Sequence, residues 1–168
     1  YEIQYCDWSS DVCSSDLFPG KIRRRKSGLK FRTGRRQHAE RSRLMLADSG
    51  LTDLGVHSKM YVDSLIELTL AGKINGRRKT TDPGKQVYMF AAGSDEPYSF
   101  INNNPELMIA PVDYANDPYV IAQNDQFTSI NNAIKIDLFG QVNAESMAGR
   151  QISGPGGQLD FVIGASHS

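Results

Sequence analysis

Beyond residue 17 the chain contains no cysteine and no tryptophan: Cys6, Trp8 and Cys13 all lie in its opening stretch. Without further cysteines, the remainder can build neither a disulfide framework nor a cysteine-rich zinc site. The Cys-x6-Cys spacing itself lacks the short pairing of zinc ligands, so no metal is expected. No apolar run approaches the roughly 20 residues of a membrane helix, and no apolar segment behind a basic start marks a secretory signal. A soluble, cytoplasmic protein without a membrane partner is the default expectation. A length of 168 residues allows one domain with a core of useful size.

Net charge is also missing, with 19 basic and 19 acidic residues, but the balance is uneven along the chain. Residues 21–43 hold eleven of the Lys and Arg side chains, in "KIRRRK" and "TGRRQ", with Glu40 as their only acid. From Leu44 onward eight basic residues face fourteen acidic ones. Such a block fits a nucleic-acid arm, yet it has only Phe31 for base stacking. A break this sharp also marks a segment of different origin. The opening "YEIQYCDWSSDVCSSDL" resembles the translation of a sequencing-library adapter, because Cys6 to Leu17 follow one reading frame of one oligonucleotide. Residues 1–17 are therefore expected to be an artefact without structural role, and 18–43 to be out of frame or disordered.

Protein-like patterning starts at Leu44. "SKMYVDSLIELTLAGK" spaces Met60, Ser64 and Leu68 at helical intervals, with Ser58 placed to cap and Gly72 at the C′ position. "KQVYMFAAG" predicts a strand, "EPYSFINNNP" a brief helix ending before Pro105, and "LMIAPVDY" a second strand. In "NDPYVIAQND", Asp117 is placed as N-cap and Pro118 as the first helical residue. Ile130, Ile134, Ile136 and Leu138 then alternate up to a turn at Phe139-Gly140, predicting strands with one buried face. Strands alternating with helices predict an α/β fold.

Four phrases in order, "GLTDLGVHSKMYVDS", "DPYVIAQND", "SINNAIKIDLFGQV" and "SGPGGQLDF", resemble the C-terminal domain of the acetyl-CoA hydrolase/transferase family. The likeness is greatest to its 4-hydroxybutyrate and butyryl-CoA:acetate coenzyme A-transferases. It implies an open, layered α/β sheet over residues 44–168, a partial C-terminal domain lacking the enzyme's N-terminal domain. It further implies CoA exchange between a short-chain acyl-CoA and a carboxylate, through a glutamyl-CoA intermediate. No permanently bound cofactor is expected, since coenzyme A is substrate; a homo-oligomeric parent enzyme is compatible, and nucleic acid is not an expected partner.

The resemblance places the nucleophile within Gly-(Ile/Val)-His-(Ser/Thr)-Glu-Met, here "GVHSKM", so that Lys59 stands where the family has glutamate. A lysine is ordinarily an ammonium ion at neutral pH, without a lone pair for attack. The chain as written is thus expected to be inactive. Two readings stay open: a one-base read error, which would also explain Lys135, or a true silent CoA-binding or interaction domain. An indel near Ser42 would likewise explain the arginines, because one base of shift turns "QHAE" toward the Asn-Met-Pro-Asn found in the family. Gly154, Gly156, Gly157 and Gln158 are candidates for coenzyme A contact, against the plainer reading of a tight turn. His57 is read as positioning the neighbouring turn, Asp113 as a turn residue and Asp137 as a strand-end residue. The chain stops without a closing element after "DFVIGASHS" and is expected to be a fragment.

Overall fold

The computed structural model describes residues 4–7, 46, 48–92 and 96–168. The basic block 18–43, with its out-of-frame and nucleic-acid readings, lies outside the described residues. So does the adapter-like segment, apart from four residues. Strand β1 (Gln4–Asp7) runs parallel to β5 (Ile130–Ala133), with Gln4 opposite Ile130 and Asp7 opposite Ala133. The pairing needs no special sequence, since an open strand edge offers N–H and C=O groups to any extended segment.

The centre is a parallel three-stranded sheet in the order β2 (His57–Tyr61), β3 (Gln86–Ala91), β4 (Leu107–Ile109). Helix α1 (Asp63–Leu70) connects the first pair and α2 (Glu96–Ile101) the second, giving two successive βαβ units. Successive strand residues point to opposite faces, and the sheet divides its core accordingly. Val56 and Tyr88 pack with Leu65, Ile66 and Leu68 of α1. Val87 packs on the other face with Ala110 and Ala115. There lie α3 (Val112–Ala115), α4 (Pro118–Ala122) and α5 (Gln158–Ser166), so helices flank both faces, as an α/β layered fold requires.

The predicted helix over residues 58–73 is shorter than its apolar spacing suggested. His57–Tyr61 pairs along β3 as a strand, and Val62 remains extended before the helix opens at Asp63. Ser58 donates to the Met60 carbonyl at 2.9 Å instead of capping. Ladder bonds and burial on a central sheet outweigh helical periodicity here. The C-terminal prediction was accurate: Gly72 sits at φ +70, and its N–H donates to the Thr69 carbonyl. Asp117 caps α4 by accepting from the Tyr119 N–H at 2.8 Å, with Pro118 first in the helix.

Residues 135–151 keep the predicted strand and turn but not the predicted buried face. They form two short antiparallel hairpins, β6 (Lys135–Ile136) with β7 (Val142–Asn143) and β8 (Ser146–Met147) with β9 (Arg150–Gln151). Asp137 closes the first turn, accepting from the N–H groups of Phe139 and Gln141 at 2.9 Å each. Ile136, Leu138 and Phe139 are exposed, so the predicted buried face is not formed among the described residues. Two-residue strands present too little width to cover one.

Leu65 is fully enclosed between α1 and the sheet. Leu65→Ala is expected to cost about 2–5 kcal/mol through lost burial and the cavity left behind. Urea unfolding should show a lower midpoint at an unchanged slope.

Candidate active site

Strand β2 carries both residues of "GVHSKM" that matter to the sequence prediction. His57 opens it fully buried, and Lys59 follows two residues later on the same face, half-buried. The strand register puts Lys59 opposite Met89, between the pairs Ser58–Tyr88 and Met60–Phe90. Among the described residues, the Lys59 ammonium makes no hydrogen bond or ion pair.

His57 is held in an aromatic enclosure, its ring centroid 6.3 Å from Tyr114, 6.5 Å from Phe127 and 6.3 Å from Phe161. Its Nε2 lies 2.9 Å from the Ala115 carbonyl oxygen. A carbonyl only accepts, so Nε2 carries the proton and Nδ1 is left as a buried acceptor without a partner. Burial, reinforced by the nearby Lys79 charge, pushes the imidazole down to about 4, against the smaller opposing effects of the Ala115 bond and Asp82. The ring is therefore neutral at pH 7.

Lys79 is the second buried ionisable group of this region. Its Nζ donates to the carbonyls of Val56 at 3.1 Å and Lys85 at 2.9 Å, tying the starts of β2 and β3 together. Burial lowers it to about 8, with Asp82 working in the opposite direction. Asp82 accepts in turn from the Tyr114 hydroxyl at 2.8 Å, and burial together with this bond pushes that phenol up to about 12.

The glycine turn enters α5 against the same layer. Gly154 and Gly156 are exposed, Gly156 at φ +57, whereas Gly157 is buried at the N-cap and Gln158 is the first helical residue, half-buried. Gly157 has an ordinary φ of −103, so its backbone would tolerate a side chain. Space forbids one: a Cβ there would sit 2.5 Å from Nδ2 of Asn116. That Nδ2 donates to the Asp160 carboxylate at 3.3 Å, within the first turn of α5. Farther along, a Cβ at Gly164 would stand 2.4 Å from Ile121 Cγ2, so α5 lies close against α4.

Of the predicted site residues, Gly157 and Gln158 share one layer with the His57 end of β2. Gly154 opens to solvent, and no hydrogen bond links Lys59 to the turn among the described residues. The connection runs through Ala115 and Asn116, adjacent residues that touch His57 and Gly157 respectively. Sequence reading passed over Asn116, Asp82, Lys79 and Tyr114. Asn116, Asp82 and Tyr114 meet partners 32 to 44 residues away, and Lys79 bonds both Val56, 23 residues back, and nearby Lys85; only the Asp-Pro helix start beside Asn116 points to that place. Asp113 is exposed in the first turn of α3, and the groups able to ligate a metal form no cluster among the described residues. No helix among the described residues is long and apolar enough to cross a membrane.

Two measurements check this geometry. Between about pH 6.5 and about 4 the unfolded chain binds a proton at His57 that the folded chain refuses. Stability is thus undiminished above pH 6.5 and falls by roughly 3 kcal/mol as pH drops to 4. His57→Gln keeps a donor for Ala115 without titrating, so its urea midpoint should vary less across that window; equal slopes would contradict the assignment. Gly157→Ala should cost about 1–3 kcal/mol by overpacking. Adding Asn116→Gly should recover most of the loss in a thermal double-mutant cycle.

Residues 93–168 match the acetyl-CoA hydrolase/transferase C-terminal domain. The chain is 57% identical over 124 residues to a probable butyrate:acetyl-CoA coenzyme A-transferase of Syntrophomonas wolfei, covering 74% of this chain and 28% of that protein. It is 54% identical over 121 residues to the butyryl-CoA:acetate CoA-transferase of Anaerostipes caccae, covering 72% and 27%. The chain thus spans little more than a quarter of the length of these relatives. Among solved structures, RipA from Yersinia pestis superposes with a TM-score of 0.66 at 42% identity, over 75% of this chain and 28% of that one. The 4-hydroxybutyrate CoA-transferase of Porphyromonas gingivalis gives 0.61 at 36% identity, over 76% and 30%. Sequence phrases, layered fold and matched residues agree: residues 93–168 match that family's C-terminal domain, and the chain resembles the acetyl-CoA hydrolase/transferase family.

Proposed function

We propose that this chain is part of a coenzyme A-transferase that moves CoA between short-chain acyl-CoA and carboxylate partners, with residue 59 at the nucleophile position. The match of residues 93–168 to the family, with the Gly154–Gln158 turn inside it, carries the reading. The names of its relatives support butyryl, acetyl and 4-hydroxybutyryl groups as the substrate class.

The chemistry calls for a carboxylate at position 59. One of its oxygens attacks the thioester carbonyl, CoA thiolate departs, and an acyl-glutamyl anhydride forms. The thiolate then attacks the glutamyl carbonyl, the acyl group leaves as a carboxylate, and a glutamyl-CoA thioester remains. An incoming carboxylic acid anion runs the two steps in reverse. In the proposed arrangement, backbone N–H groups at the start of α5 face the developing oxyanions, an effect worth about 3 kcal/mol per donor in acyl transfer. Gln158 hydrogen-bonds the acyl or pantetheine portion.

Lys59 breaks this cycle. As an ammonium it has no lone pair to offer, and as a free amine it would form a stable amide that CoA thiolate does not reopen. The proposal therefore holds the chain inactive as written. Lys59 also favours a second reading, a silent domain that binds coenzyme A without turning it over.

The test fuses the chain behind the N-terminal three-quarters of the Syntrophomonas wolfei relative and assays CoA transfer from butyryl-CoA to acetate. The fusion should be silent, and its K59E form should gain at least about 10³-fold in rate, the scale on which nucleophile losses are felt. A CoA adduct should appear on the K59E protein by mass spectrometry. An active Lys59 fusion would overturn the assignment of residue 59. A K59E fusion that binds CoA without turnover would favour the silent domain.

A further inference from the structure

Two features of the site have no role in the chemistry above. His57 is fully buried with a single hydrogen bond, to the backbone of a residue 58 positions away. Asn116, the next residue along from that acceptor, is nine-tenths buried, with its Oδ1 unpartnered and its Nδ2 on Asp160. Neither pattern is what stability alone selects. An unmet buried acceptor costs about 1–3 kcal/mol, and an apolar side chain would fill either place without that cost.

Their arrangement is what they share. His57 lies two residues before position 59 on β2, and its Nε2–H grips the end of α3 at Ala115. Asn116, where that helix stops, presses against Gly157 and reaches the first turn of α5. Gly157 is the only residue type that fits beneath Asn116, and Asp160 lies one helical turn along to receive its amide. A continuous path thus runs from β2 through Ala115–Asn116 to the glycine turn. Both ends of the candidate site are fixed to one short helix of four residues. A shift of about 1 Å in such a spacing is enough to cost a reaction 10²-fold.

We propose that His57 and Asn116 form a positioning relay that sets the distance between residue 59 and the Gly156–Gln158 turn. The proposal rests on the transferase reading of those two segments. Neither residue touches the reacting atoms; each acts through the backbone it holds.

Amide hydrogen exchange on the 168-residue chain tests the relay, read at Ser58–Met60 and at Gly156–Leu159. Asn116→Ala should speed exchange at Gly156–Leu159 by about tenfold, the change expected for one lost hydrogen bond in a locally opening segment. His57→Ala should speed it at both segments, although the turn lies outside the strand that His57 belongs to. His57→Gln, which retains a donor for Ala115, should restore wild-type exchange at the turn. Ile121→Val is the control for general loosening, since it loosens the same layer at the Gly164 contact and leaves the His57–Ala115 and Asn116–Gly157 contacts in place. The relay is overturned if Asn116→Ala leaves Gly156–Leu159 within twofold, if Ile121→Val reproduces the effect, or if His57→Gln fails to rescue. Acetyl-CoA binding, measured by calorimetry on the same proteins, keeps the two ideas separate. Wild-type chain that binds no acetyl-CoA would count against the transferase reading, while exchange at the turn still decides the relay.

Discussion

The hydrogen bond from His57 to the Ala115 carbonyl is the constraint on which the site depends. It joins the parallel sheet to the helices on its second face at one buried point, inside a ring of Tyr114, Phe127 and Phe161. Burial makes the imidazole neutral, and neutrality fixes its tautomer, because the carbonyl needs a donor. Apolar contacts alone would bring the layers together. One directional bond, costly to break in a dry place, sets which residues face each other once they meet.

From this point the rest of the local architecture follows. Lys79 ties the openings of β2 and β3 through two carbonyls, so the strand carrying residue 59 starts from a fixed position. Tyr114, on the same short helix as Ala115, is anchored to Asp82. Gly157 and Gly164 allow α5 to approach Asn116 and Ile121 at distances no other residue permits. Residue 59 is thereby offered from a rigid strand and the turn from a helix start, the supports that hold reacting groups most tightly. In the proposed reading, the scaffold keeps this arrangement with Lys59 standing where the transfer chemistry calls for a carboxylate. Scaffold and nucleophile are separable, because nothing in the described packing bonds to the Lys59 side chain.

Local signals in the sequence were read well where the physics is local. Asp117-Pro118 starts a helix, Gly72 ends one, and "KQVYMFAA" forms a strand, because capping and β-branched or aromatic packing act over a few residues. Residues 58–61 fit a helical spacing through Met60 and Leu68 yet form a strand, because the strand's partner lies thirty positions away. The exposed Ile136 and Leu138 show the same limit: alternation states that one face is apolar and says nothing about what covers it. At the site, the motif resemblance singles out position 59 and the glycine turn as candidates. It leaves out Asn116 and the Tyr114–Asp82 pair, whose contacts span 44 and 32 residues, and Lys79, which reaches 23 residues back to Val56.

The central claim is that residue 59 on β2 and the turn before α5 are two walls of one coenzyme A site. Residue-resolved NMR of the isotope-labelled chain, titrated with CoA, tests it most directly. The account predicts that the largest amide shift changes fall on both Ser58–Met60 and Gly154–Leu159, saturating together with one affinity. Changes confined to one segment, or concentrated in the β6–β9 hairpins or the basic block 18–43, would contradict it.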